Sequence, residues 1–231
     1  MLHLLDENEK IILKNYFLYY NLLDDTHKII FEHRLAQFKH IKHFRFRDVG
    51  ESLEVKILVS AIAIQLTMGL DFYLYPNFHT IVIHGNMFYA TSTGHVHQQE
   101  VRNDGIVVLN WHNTLEALKY PKMVYSHCIH AWATALLYEN SLFSQDFLGF
   151  APRDLLRWKN LAKGRIKQDK LYFPSENEAY LEASLLYLFT ACTEAFYQDP
   201  WGLRQQSPDI YRAMAIMYKQ DILGIVPIRK N

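Results

Sequence analysis

The segment Leu53 to Met68 (LEVKILVSAIAIQLTM) constrains the fold more than any other part of the chain. At helical spacing it is apolar on nearly every face, so it cannot lie on a surface and must be enclosed by other elements. The most apolar run, Val55 to Leu70, holds Lys56 and Gln65 and falls short of the roughly 20 residues that a membrane-crossing helix needs. The expectation is a helix at the centre of a protein core. The chain has 231 residues and is 50% hydrophobic, enough to enclose that helix in one domain, with residues 1–50 as a helical N-terminal extension packed on it.

Charge and cysteine usage narrow the class. Lys+Arg and Asp+Glu both number 24, so the net charge is zero, which argues against nucleic acid as the main partner. Asp6, Glu7, Glu9 and Lys10 open the chain with charge where a secretory signal would be apolar. A soluble, cytoplasmic protein with no membrane partner is expected. Cys128 and Cys192 sit in apolar helical stretches without metal-type spacing and read as buried, reduced thiols.

Along the chain, residues 1 to about 47 read as helices with aromatic faces, and Asp24-Asp25-Thr26 supplies a start signal for the second of them. Lys39, His40, Lys42, His43, Arg45 and Arg47 read as a solvated, cationic helix end, the alternative being a basic patch that touches an anionic partner. Phe78 to His84 alternates as a strand, Met87 to Thr91 is a second and Ile106 to Trp111 a third, with Thr91 to Gly105 as a loop or irregular edge. Helices follow: Thr114 to Lys119, Met123 to Tyr138, and a basic, solvated segment from Arg153 to Lys170. Another starts at a capping box, Ser175-Glu176-Asn177-Glu178, and runs to Gln198, before a last one from Pro208 to Asp221. No repeat or linker divides the chain.

The chemistry, if any, centres on His130-Ala131-Trp132-Ala133-Thr134. A His-Glu-x-x-His helix needs two histidines four apart, so that both imidazoles leave one face toward a metal, and a glutamate beside the first as base. Here His130 stands at the first position, Ala131 at the glutamate and Thr134 at the second histidine. No Gly-x-Ser-x-Gly, phosphate loop or dinucleotide fingerprint is present, and Ser126-His127 adjacency on a helix makes no triad.

The flanks give this comparison its weight. Ala63-Ile64-Gln65-Leu66-Thr67-Met68-Gly69-Leu70 is similar to an apolar helix ending Gln-Leu-Thr-Phe-Gly, and His97-Gln98-Gln99-Glu100-Val101 to a His-x-Gly-Glu-Val segment. Ile106 to Trp111 is similar to a strand ending Leu-Ser-Trp, and His130 to Asn140 to a helix His-Glu-x-Ala-His-Ala-Leu-x-x-Glu-Asn. Thr193-Glu194-Ala195-Phe196-Tyr197 and Tyr218-Lys219-Gln220-Asp221 are similar to Glu-Tyr-Phe-Phe and Tyr-x-Gln-Asp segments. In this order the pieces resemble the Mlc titration factor A family of zinc-dependent peptidases, which is related to the anthrax lethal factor catalytic domain. The resemblance covers nearly the whole chain. It implies an α+β, mostly helical, zincin-like metallopeptidase fold with a small sheet of about three to four strands.

The same resemblance implies a third, acidic zinc ligand seven residues before the glutamate matched by Glu194, and that position is Tyr187. The former zinc-site positions are thus His130, Thr134 and Tyr187, with Ala131 where the catalytic base belongs, so no catalytic residue, no metal and no cofactor are expected. Glu194 and His127 are expected beside them in the old cleft. The alternative is a relocated zinc site on His127, His130 and Glu194, since His127 and His130 are three apart and share a helix face. Two functions follow. One is a catalytically degenerate protein that binds a peptide or a protein; the family's namesake binds a transcriptional repressor, which makes a transcriptional regulator one candidate partner. The other is an active zinc-dependent (amino)peptidase with an altered ligand set. A third possibility is that the old site has collapsed into plain core, with Tyr187 packed on Trp132 or a neighbour.

Overall fold

Asp6 and Glu9 exchange hydrogen bonds with each other's backbone N–H and so fix the start of the first helix, α1 (Glu7–Tyr16). The computed structural model describes residues 4–90, 94–142, 149–168, 178–224 and 226–227. After α1 come α2 (Leu18–Leu22) and α3 (Asp25–Ile41), the latter capped by Asp24, whose carboxylate accepts from His27 N at 2.8 Å. Next are β1 (His43–Phe46), α4 (Leu53–Thr67), β2 (Thr80–His84), β3 (Phe88–Ala90), β4 (His95–His97), β5 (Gln99–Arg102) and β6 (Ile106–Asn110). The chain continues as α5 (Trp111–Lys119), α6 (His127–Leu142), α7 (Pro152–Gln168), α8 (Glu178–Gln198), α9 (Pro200–Gln206) and α10 (Pro208–Tyr218). It closes with β7 (Gln220–Asp221) and β8 (Val226–Pro227). The class is α+β, mostly helical.

The all-apolar segment behaves as its composition requires. Every α4 residue from Ile57 to Thr67 is buried, and α4 packs against α1, α3 and α6. One cluster of buried apolar side chains extends from Leu5 to Tyr218, and a small second one (Phe88, Ala90, Val108) lies under β3. Among the described residues no helix is long and apolar enough to cross a membrane.

The main sheet has the order β1-β2-β6-β5. β1, β2 and β6 are parallel, with Ile81 opposite Val107 and Ile83 opposite Leu109, while β5 closes one edge antiparallel to β6. Two of these strands depart from the sequence reading. His43 to Phe46 is a strand, not a helix end, because Lys42 leaves the helix with extended backbone and its ammonium donates to Tyr75 O (2.7 Å) and Phe78 O (2.6 Å). That anchor lays the following residues beside β2, where His43 N donates to His79 O. Lys42 is accordingly buried rather than solvated, and burial pushes its pKa down to about 8 against the pull of Glu139. Lys39 is paired with Glu9.

The second departure lies in Thr91 to Gly105, expected as a loop or irregular edge: it contains β4 and β5, and β5 is indeed an edge of the main sheet, but a regular strand. β5 turns into β6 through Asn103-Asp104-Gly105, with Gly105 at φ 83°, a left-handed conformation that glycine adopts without strain. A Cβ at Gly105 would also collide with Asn77 O and the His79 ring. α6 starts at His127, not Met123, since Ser126 Oγ accepts from Ile129 N (3.3 Å) and caps the helix there. α7 is a helix with one face in the core: Trp158 and Ala162 are buried while Arg153 and Arg157 are exposed. The Ser175–Asn177 part of the expected cap lies outside the described residues.

A polar anchor within the core

The last strand residue, Asn110, begins a chain of hydrogen bonds that positions α6. Asn110 Oδ1 accepts from Asn113 N (3.2 Å), Asn113 Oδ1 accepts from His127 N (3.1 Å), and Asn113 Nδ2 donates to Tyr125 O (2.9 Å). The sheet end, α5 and the start of α6 are thereby tied together. On its apolar side α6 is held by Trp132, which packs edge-on against Phe38 (5.5 Å between centroids) and against Tyr75 (5.0 Å). Near its far end, Glu139 is fully buried and accepts from Asn77 N and Asn77 Nδ2. These three attachments fix which face His130 presents.

Candidate functional site

His130 projects from the second turn of α6 toward α8 and is 3% exposed. Its Nε2 lies 2.9 Å from Glu194 Oε2, and its Nδ1 lies 2.5 Å from the Tyr125 hydroxyl. Glu194, 8% exposed, accepts from Ser126 N through its other oxygen. With its amide turned to donate, Gln198 reaches that same oxygen at 3.0 Å. The carboxylate thus sits at the N-terminus of α6, where the helix dipole favours negative charge.

Hydrogen-bond roles follow from chemistry. An ionised carboxylate only accepts, so His130 Nε2 carries the proton and donates to Glu194. Tyr125 keeps its proton, because burial, then Glu194 and Tyr187, raise its pKa well above the ordinary phenol value. It donates to Nδ1. The relay runs in one direction: Tyr125 O–H to Nδ1, then Nε2–H to Glu194. Long-range 1H–15N NMR of the His130 ring should find Nε2 protonated and Nδ1 as a hydrogen-bonded acceptor; a proton on Nδ1 alone would contradict these roles.

The other expected residues distribute as follows. His127 is half-buried, with its ring 4.7 Å from that of Tyr125; burial first, then His130, lower its pKa, so it is neutral at pH 7. Ala131 is fully buried and Thr134 is 9% exposed. Tyr187 is 65% exposed, so it does not fill a collapsed core against Trp132, whose ring contacts are Phe38 and Tyr75. The fold therefore brings His130, Glu194 and His127 together around Tyr125. Tyr125, Asn113 and Gln198 were not singled out in the sequence, and Ser126 was weighed there only as a triad serine and set aside. Gln198 stands one helical turn beyond Glu194, a spacing that could have indicated it.

These residues do not fit a catalytic zinc centre. Such a centre takes three protein donors and leaves a fourth position for water. Ala131 offers no donor atom. Threonine and a neutral phenol are poor stand-ins for imidazole and carboxylate. Among the described residues no three His, Cys, Asp or Glu side chains are grouped to hold a metal ion. Nucleophilic use of Cys128 is disfavoured too, since burial pushes its thiol up to about 12.

A family model described as glucose-regulated metallo-peptidase M90 matches residues 3–219 of the chain. No curated protein matches it.

Proposed function

The chain belongs to the glucose-regulated metallo-peptidase M90 family, and from that membership we propose that it uses the peptidase scaffold to bind a peptide or a protein without hydrolysing it. The observation that carries this reading is Ala131 where a base would stand, fully buried one residue from His130, with Thr134 in place of a second histidine on the same helix. Binding has a surface to use. Tyr125 and Tyr187 are 40% and 65% exposed beside the buried pair, and tyrosine supplies large contact area with few rotors to freeze. β5 packs against α6 and is an edge strand of the main sheet, the kind of element to which an extended peptide can add. On this reading the partner is a polypeptide, with a transcriptional regulator as one class, and the protein works in the cytoplasm without a cofactor, nucleic acid or membrane.

The alternative, a zinc-dependent peptidase using His127, His130 and Glu194, draws on the proximity of these residues around Tyr125. A mixed-sequence synthetic peptide library, incubated with the protein and zinc, separates the two. The expected result is retention of peptides without new termini by mass spectrometry, with retention weakened about tenfold by Tyr187→Ala. Cleavage that depends on His130 would overturn the proposal in favour of the alternative.

A further inference from the structure

α6 and α8 run antiparallel along a shared seam. His130 meets Glu194 at one end, and Leu137 to Asn140 face Glu182 to Leu186 at the other. At this second end, closed on one side by α7, the helices part around a cleft of about 460 Å³. That volume lies within the usual range for small-molecule sites, roughly 300–1,000 Å³. Leu137, Leu155 and Leu185 make much of its wall.

The polar groups in the wall are unbalanced. Asn140 Oδ1 is engaged by Phe150 N (3.2 Å), which fixes the amide, and its Nδ2 is buried with no partner among the described residues. Trp158, 1% exposed, has its indole Nε1 buried and also without a partner. Lys159 is half-buried and forms no ion pair among the described residues. The Asn140 and Trp158 donors are sealed beneath the wall, so Lys159 is the cation that borders the leucine-lined cleft, and the one carboxylate in the lining, Glu182, is on the exposed rim of α8.

We propose that this cleft binds a monocarboxylate carried on an apolar body, with the body among the leucines and the carboxylate received by Lys159. The proposal does not depend on the reading of the His130 site. Two sources share this chemistry: a free acyl or aryl acid, and the C-terminal carboxylate of a peptide ending in a large apolar residue.

Calorimetric titration with decanoate, and with a short peptide ending in Phe as free acid or amide, tests it. Saturable one-site binding of decanoate or the peptide acid is expected, at least tenfold tighter than decanamide or the peptide amide. Whichever acid binds identifies the source. Lys159→Gln should weaken that binding about tenfold, and Glu182→Gln should tighten it, since removing like charge favours an anion. Filling the cleft by Ala183→Trp should abolish it. Circular dichroism of each variant checks folding, and Glu182→Gln, on the exposed rim, keeps the test valid should the others misfold. No saturable binding of either acid, or opposite signs for Lys159→Gln and Glu182→Gln, would overturn the proposal.

Discussion

Trp132→Ala should lower the free energy of unfolding by about 3–5 kcal/mol, the range for deleting a large aromatic side chain from a packed core. For a chain of this size that is a drop of roughly 6–20 °C in Tm. The size follows from position: Trp132 is fully buried and fits between Phe38 of α3 and Tyr75, where α6 meets the helical N-terminal part of the chain. Removing it leaves a cavity bounded by aromatic rings that cannot easily collapse. Trp132→Phe keeps a ring and removes an indole N–H whose one acceptor is, at most, the weakly accepting Cys128 sulfur, so it should cost much less. Chemical denaturation of the three proteins measures this, and a loss below about 1 kcal/mol for the alanine variant would mean that α6 is not anchored as described.

Glu194→Ala should be nearly as damaging, at about 2–4 kcal/mol, for a different reason. It creates little cavity. It leaves His130 Nε2–H and Ser126 N buried with no acceptor and removes the negative charge from the start of α6. Glu194→Gln retains an acceptor and should lose about 1 kcal/mol. If alanine and glutamine prove equally mild in denaturant titrations, Glu194 is not the acceptor that orders this site. In that event a metal-ligand role gains ground.

The central elements could be read from sequence because burial there is local in origin. An unbroken apolar helix such as α4 has only one place to go, and the alternation of Thr80 to His84 and the apolar run Ile106 to Leu109 mark strands without reference to partners. β1 and β5 are different. His43-Phe44-Arg45-Phe46 becomes a strand only because Lys42 reaches carbonyls more than thirty residues away. Gln99-Glu100-Val101-Arg102 is a polar edge strand whose visible sign is the Asp104-Gly105 turn beyond it. The site divides in the same way. Helical spacing and family register pointed to His130, Glu194 and His127, which the fold groups around one ring. Tyr125 escaped because it precedes α6, and its hydroxyl reaches His130 only after the turn at Pro121–Met123 folds the chain back. Tyr187 was expected to line the cleft or fill the core, and its high exposure rules out the second.

The zinc content of the purified, tag-free protein, after exposure to zinc and dialysis, tests the central claim most directly. Elemental mass spectrometry should find far less than one zinc per chain, because Ala131, Thr134 and Tyr187 stand where the base and two of the ligands belong. One tightly held zinc per chain, lost in His130→Ala and in Glu194→Gln, would contradict the account and make His127, His130 and Glu194 the ligands of a working metallopeptidase.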